Sequence, residues 1–79
     1  MYLEIITPKQ TTFSGEVKLI QLPGIEGSFE ILKNHMPIIA LLKKGKIKIV
    51  DKNNKEQFFD IEKGMFEFQN NKGIILSDM

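Results

Sequence analysis

Short alternating segments separated by turn residues constrain the fold of this chain most. In the segment GKIKIV, Ile47 and Ile49 alternate with Lys46 and Lys48, as in a strand with one face in a core and the other in water. No stretch keeps apolar residues at the spacing of an amphipathic helix. Turn signals recur about every eight to twelve residues. The pattern predicts an all-β fold, a small sandwich or flattened barrel of short strands.

The same alternation predicts which side chains face the core. These are Leu3, Ile5, Ile47, Ile49, Phe59, Ile61, Phe66 and Phe68. In EVKLIQL the inward phase shifts from Val17 and Leu19 to Ile20 and Leu22, which indicates a β-bulge. The segment PIIALLKKG fits one helical turn or a buried strand, and its length favours the strand. In the second half of the chain, consecutive strands are expected to pair as hairpins.

Size and composition exclude several classes of protein. The 79 residues predict one domain, residues 1–79, and the lack of cysteine excludes disulfides, zinc-thiolate sites and thiol nucleophiles. The net charge is +1, and all eleven basic residues are lysine, so no nucleic-acid partner is expected. The longest apolar run, MPIIALL, is far shorter than the roughly 20 residues that cross a bilayer. Direct membrane insertion is therefore not expected.

No catalytic, cofactor-binding or metal-binding residues are expected. One histidine without cysteine does not supply a metal ligand set, and no serine lies in a nucleophile motif such as G-x-S-x-G. Gly24 and Gly27 form only part of a phosphate-binding loop, so they are interpreted as glycines of a tight turn. His35 follows Asn34, which tolerates left-handed backbone, and it precedes Met36 and Pro37. This segment is interpreted as a sharp corner that leads into a strand.

One alternative rests on Asp51 and Lys52 at the tip of a predicted hairpin. Lipoyl carrier domains are small β-sandwiches that display a modified lysine in such a turn, and the Asp-Lys pair is similar to theirs. In that interpretation Lys52 carries the lipoyl group. In the other interpretation DKNNKE is a solvated turn without a modification.

A longer stretch, FSGEVKLIQLPGIEGSFEILKNHMPIIALLKKGKIKIV, resembles the amino-terminal β-domain of the epsilon subunit of F-type ATP synthases, which is called delta in mitochondria. The family pattern has Phe-x-Gly, then Pro-Gly-x-x-Gly, then a histidine followed by x-Pro, and Lys-x-Gly before an alternating strand. The matching residues are Phe13, Gly15, Gly24, Glu26, Gly27, Ile31, Leu32, His35, Pro37 and Gly45. The chain departs from the pattern at Glu30, where the family has Gly, and at Lys33 and Asn34, where it has Pro and Gly.

The resemblance implies a small flattened antiparallel β-sandwich or barrel of about ten short strands. It also implies that the chain is a non-catalytic subunit of the central rotor. Such a subunit docks on the gamma subunit and the c ring, and it couples proton- or ion-driven rotation to ATP synthesis in the catalytic head. The implied location is peripheral, at the cytoplasmic face of the bacterial inner membrane. Many relatives continue into a hairpin of two helices that binds ATP. No such C-terminal hairpin is expected in this chain, and ATP binding is therefore not expected.

The resemblance also implies two sets of contact residues. Glu26, Gly27 and Ser28 correspond to the loop that approaches the c ring. Thr7, His35 and Met36 correspond to positions on the side that faces gamma.

Overall fold

Eight β-strands and no helix make up the computed structural model, which describes residues 1–78. The strands are β1 (Tyr2–Ile6), β2 (Thr11–Gly24), β3 (Gly27–Leu32), β4 (Ile38–Leu42), β5 (Gly45–Asp51), β6 (Glu56–Ile61), β7 (Lys63–Gln69) and β8 (Lys72–Asp78). The predicted all-β class is confirmed, and the ambiguous segment PIIALLKKG contains a strand. There are eight strands rather than about ten, because β2 runs through 14 residues as one element.

The strands hydrogen-bond in the order β1-β8-β7-β4-β2-β5-β6, with β3 on β2 and a further pairing of β1 with β2. Because the long β2 takes part in both halves, the sheet folds over into the two layers of a sandwich. The register of β2 on β5 shifts between Val17 and Leu19, which confirms the predicted bulge. All pairings are antiparallel except that of β1 with β8, which is parallel. This pairing joins the first and last strands of the chain.

Two of the expected hairpins form, and a third does not. β5 pairs with β6, and β7 pairs with β8, as predicted. β6 and β7 are consecutive but do not pair, because β7 lies between β8 and β4 in the other half of the sheet. The chain crosses from one half of the sheet to the other at Glu62, whose backbone N–H donates to the Asp78 carbonyl at 2.9 Å.

The core fills the space between the two halves with the side chains that alternate inward. Its fully buried members are Leu3, Ile5, Ile20, Leu22, Ile31, Ile47, Ile49, Ile61, Phe66, Phe68 and Ile75. Phe66 and Phe68 stack with ring centroids 6.3 Å apart. Phe59, which was predicted to face inward, is only partly buried and packs against the edge of this cluster. Leu19, which was predicted to face inward with Val17, is also only partly buried, because the bulge between Val17 and Leu19 places Ile20 on the core side instead. The other core predictions are confirmed, since inward residues of a strand must lie two apart.

Candidate docking surfaces

One outer surface of the sandwich is unusually apolar. It is formed by β1, β8, β7 and β4 together with the turn between β2 and β3. We call it the apolar face; its residues are Ile6, Ile25, Ile39, Leu41, Met65 and Leu76.

The strand register explains why these side chains lie side by side. Ile6 pairs with Leu76, Leu76 with Met65, and Met65 with Leu41. Directly paired residues point to the same side of a sheet. Phe66 and Ile75, which alternate with Met65 and Leu76, point into the core. The four outward residues therefore form one row across four strands.

The apolar face is open rather than covered. Ile39, Leu41 and Leu76 expose 69%, 56% and 44% of their surface. The row of Ile6, Leu76, Met65 and Leu41 borders a shallow groove of about 590 Å³, which is also lined by Thr7 and Ile25. Exposed single hydrophobic residues are common, but a contiguous apolar surface marks a site of interaction.

The predicted loop of Glu26, Gly27 and Ser28 lies at the tip of the β2–β3 hairpin, and all three residues are exposed. Gly24 pairs with Gly27 and closes the turn. Ile25 precedes Glu26, and its backbone N–H donates to the Leu41 carbonyl at 3.1 Å. The loop is therefore attached to β4 and adjoins the apolar face.

Gly27 and Gly24 are both required by this turn, for different reasons. Gly27 has a φ of 132°, which residues with a side chain rarely adopt. A Cβ on Gly24 would lie 2.7 Å from the Gly27 carbonyl oxygen. The prediction that both glycines belong to a tight turn is confirmed.

Thr7 lies directly after β1, where the chain turns toward β2. Its backbone N–H and its hydroxyl both donate to the Gln10 carbonyl, at 2.9 and 3.1 Å. These bonds close a small turn that includes Pro8. Thr7 lines the groove at the end of the apolar face where Leu41 and Leu76 lie.

His35 is a corner, as predicted. Its backbone N–H donates to the Leu32 carbonyl at 3.1 Å, and Nδ1 lies 2.7 Å from the Met36 carbonyl oxygen. Its ring and that of Phe68 are nearly perpendicular, at 86°, with centroids 6.2 Å apart. Asn34 has a φ of 65°, so the expected left-handed residue is present. Met36 is held beside this corner with 71% of its surface exposed.

The structure does not bring the three predicted contact positions into one cluster. Thr7 follows Ile6, which is in register with Leu41 across the sheet, whereas His35 and Met36 precede the opposite end of β4. The apolar face lies between them.

The residues of the apolar face were not predicted from the sequence, although the outward positions of MFEFQ and IILS are apolar at Met65 and Leu76. Those two residues are the signal that could have revealed it.

The hairpin tip with Asp51 and Lys52 is a hydrogen-bonded turn. Asp51 Oδ1 accepts the backbone N–H groups of Lys55 at 3.0 Å and Asn53 at 2.8 Å. These bonds, that of Lys55 first, hold the pKa of the Asp51 carboxyl below its ordinary value. The carboxylate therefore shapes the turn, and Lys52 is an exposed residue within it.

Residues 1–78 contain no group of three or more acidic or histidine side chains placed to hold a metal ion. Within the same residues, no helix is long and apolar enough to cross a membrane. A sandwich with a broad exposed apolar face is suited to binding other proteins. The fold and its surfaces thus define a docking module.

Comparison with known proteins identifies the kind of module. Residues 1–79 match the family model of the ATP synthase Delta/Epsilon chain, beta-sandwich domain. The ATP synthase epsilon chain of Chlorobium limicola is 43% identical over 76 residues, which cover 96% of this chain and 86% of the relative. That of Campylobacter curvus is 42% identical over 78 residues, which cover 99% of this chain and 60% of the relative.

Solved structures show the same fold. A chain of the Euglena gracilis mitochondrial ATP synthase superposes with a TM-score of 0.91 at 18% identity, covering 98% of this chain and 49% of that one. A chain of the Tetrahymena thermophila mitochondrial ATP synthase, from its central stalk and c-ring structure, superposes with a TM-score of 0.84 at 19% identity. The superposition covers 100% of this chain and 63% of the Tetrahymena chain.

The chain belongs to the ATP synthase delta/epsilon-chain β-sandwich family. The resemblance inferred from the sequence is thereby confirmed, as is the role of a structural subunit of the ATP synthase rather than its catalytic part. The alternative of a lipoyl-type carrier with a modified Lys52 finds no support among these relatives.

Proposed function

We propose that residues 1–79 act as one domain that docks on the gamma subunit through the apolar face and on the c ring through the turn of Glu26, Gly27 and Ser28. Docked in this way, the domain couples ion-driven rotation to ATP synthesis in the catalytic head. The observation that carries the proposal is the row Ile6, Leu76, Met65 and Leu41 on the outside of the sandwich.

Burial of this row supplies the free energy of docking. Each large side chain that is removed from water contributes roughly 1.5–3 kcal/mol, less the cost of ordering the partners. The row is rigid because every member lies in a paired strand. Little conformational entropy of the backbone is then lost on binding.

Thr7, His35 and Met36 fit this proposal as residues at the two ends of the docking surface. Thr7 borders the groove, and Met36 is exposed next to the corner at the other end. A long unbranched thioether side chain adapts well to an irregular partner surface. We assign these three residues to the gamma-facing side.

The exposed turn of Glu26 to Ser28 is assigned to the c ring. It lies exposed at the tip of the β2–β3 hairpin, and the bond from the Ile25 N–H to the Leu41 carbonyl fixes it to β4. A fixed tip transmits force without bending away. With these two contacts the domain associates with the membrane through the complex, at the cytoplasmic face of the bacterial membrane.

The gamma contact is tested by replacing Ile39 on the apolar face with serine. A matched control is Phe58→Ser, because Phe58 is also an exposed apolar residue of a strand but lies on β6 in the other half of the sheet. Titration of gamma measured by calorimetry should show wild-type binding, roughly tenfold weaker binding by Ile39→Ser, and an unchanged affinity for Phe58→Ser. Absence of wild-type binding, or equal losses in the two variants, would contradict the proposal.

A further inference from the structure

A hydrogen bond ties the corner that precedes β4 to a turn that is distant in sequence. The backbone N–H of Asn34 donates to Oδ1 of Asn71 at 2.9 Å. Asn34 follows β3, and Asn71 lies between β7 and β8. The corner is therefore connected to a part of the sandwich that the chain reaches only 37 residues later.

Asn71 is well placed to act as an anchor. Asn70 and Asn71 have φ values of 52° and 60°, as in the tight type I′ turn of a two-residue hairpin. The backbone carbonyl of Asn71 also accepts the N–H of Tyr2 at 3.1 Å. The residue is thus fixed by the β7–β8 hairpin and by β1, and its side chain extends that rigidity to Asn34.

The corner needs such an anchor because of its own sequence. Lys33 and Asn34 are the central residues of the turn that the Leu32–His35 backbone bond closes. A proline at position 33, as in the family pattern, would fix φ at the second position of a turn. Lys33 leaves that angle free. The bond from Asn34 to Asn71 restrains the same turn from outside.

We propose that Asn71 is a positioning residue, whose side-chain oxygen holds the Lys33-Asn34 turn and thereby sets where Met36 meets the gamma subunit. This inference rests on the proposed function. The bond lies immediately before His35, whose ring is held against Phe68, and Met36 follows. A shift of the turn would therefore move the exposed Met36 side chain directly.

The test compares Asn71→Gly with Asn70→Gly. Glycine accepts a positive φ at both positions, so each variant keeps the turn, but only Asn71→Gly removes the oxygen bonded to Asn34. We expect Asn71→Gly to bind purified gamma roughly three- to tenfold more weakly than wild type, as for the loss of one hydrogen bond. Asn70→Gly should bind within about twofold of wild type, because it keeps the bond to Asn34.

Recovery of gamma binding in a double variant distinguishes a positioning role of Asn71 from a purely structural one. Adding Lys33→Pro to Asn71→Gly restores the restraint at the turn itself, so affinity for gamma should return toward the wild-type value. Equal affinities of Asn71→Gly and Asn70→Gly, or no recovery in the double variant, would overturn the inference.

Failure of the proposed function is a distinct result. If the wild-type chain does not bind gamma, the docking proposal is wrong. Whether Asn71 restrains the Lys33-Asn34 turn is then tested in the absence of gamma. In that case, NMR should show faster hydrogen exchange of the Asn34 amide in Asn71→Gly than in Asn70→Gly. An unchanged exchange rate would refute it.

Discussion

Replacement of Gly24 by alanine tests the geometry that holds the β2–β3 turn. The added Cβ would lie 2.7 Å from the Gly27 carbonyl oxygen and 2.9 Å from Cε1 of Phe29. The carbonyl belongs to the residue paired with Gly24, and the Phe29 ring packs against the core. Neither neighbour can move without disturbing the hairpin.

The expected cost is that of overpacking, about 1–3 kcal/mol of unfolding free energy. A chain of this length has a total stability of roughly 4–12 kcal/mol, so the loss is a large fraction of it. The melting temperature should fall by at least about 4 °C. Urea denaturation followed by circular dichroism measures the free energy directly.

Gly15→Ala is the matched control, because Gly15 lies in the same strand. Its added Cβ would lie 3.5 Å from the Phe13 ring, an ordinary contact, and its φ is not in the positive range. This variant should be neutral or stabilised by up to about 1 kcal/mol. If Gly24→Ala were as stable as Gly15→Ala, the close approach of Gly24 to Gly27 and its role in the turn would be refuted.

Three further predictions concern single groups and a ligand. The Ser77 hydroxyl is buried without a hydrogen-bond partner among residues 1–78. Ser77→Ala should therefore raise the unfolding free energy, measured by urea titration, by about 1 kcal/mol. A lower unfolding free energy in this variant would contradict the prediction. Because folding lowers the pKa of Asp51, its stabilisation is present above its ordinary pKa and is lost as the pH falls through the lower, folded value. The difference in unfolding free energy between wild type and Asp51→Ala should therefore shrink as the pH falls below about 4, and a difference that grows would refute the assignment. Millimolar ATP should leave the melting temperature unchanged, because ATP binding is expected of the helical hairpin of relatives and residues 1–78 contain no helix; a clear rise would contradict this.

Local alternation predicted the strands and most of the core because burial on one face of a strand requires inward residues two apart. This is why Ile47, Ile49, Phe66 and Phe68 were assigned correctly. The corner at His35 could also be predicted, since left-handed backbone and proline restrict the chain locally.

The pairing of distant strands could not be predicted in the same way. The parallel pairing of β1 with β8 joins the two ends of the chain, and no local pattern encodes it. β6 and β7 looked like a hairpin because a turn separates them, yet they lie in different halves of the sheet. Strand pairing depends on the whole arrangement of the sandwich rather than on neighbouring residues.

The apolar face was missed for a related reason. Ile39 and Leu41 lie in a continuous apolar run, which was interpreted as a buried strand, but its outward residues are exposed. Only the register across four strands shows that Leu41 adjoins Met65 and Leu76. The bond from the Asn34 backbone N–H to the Asn71 side-chain oxygen could not be predicted either, since the two residues are far apart in sequence.

We propose that this domain couples the catalytic head to the c ring. The most direct measurement is the affinity of the gamma-containing catalytic head, stripped of this subunit, for membranes that carry the c ring, with and without the added chain. We expect the chain to bind the head and to increase the attachment of the head to the membranes. If the chain bound neither gamma nor the head, or if attachment were the same with and without it, the proposed coupling would be refuted.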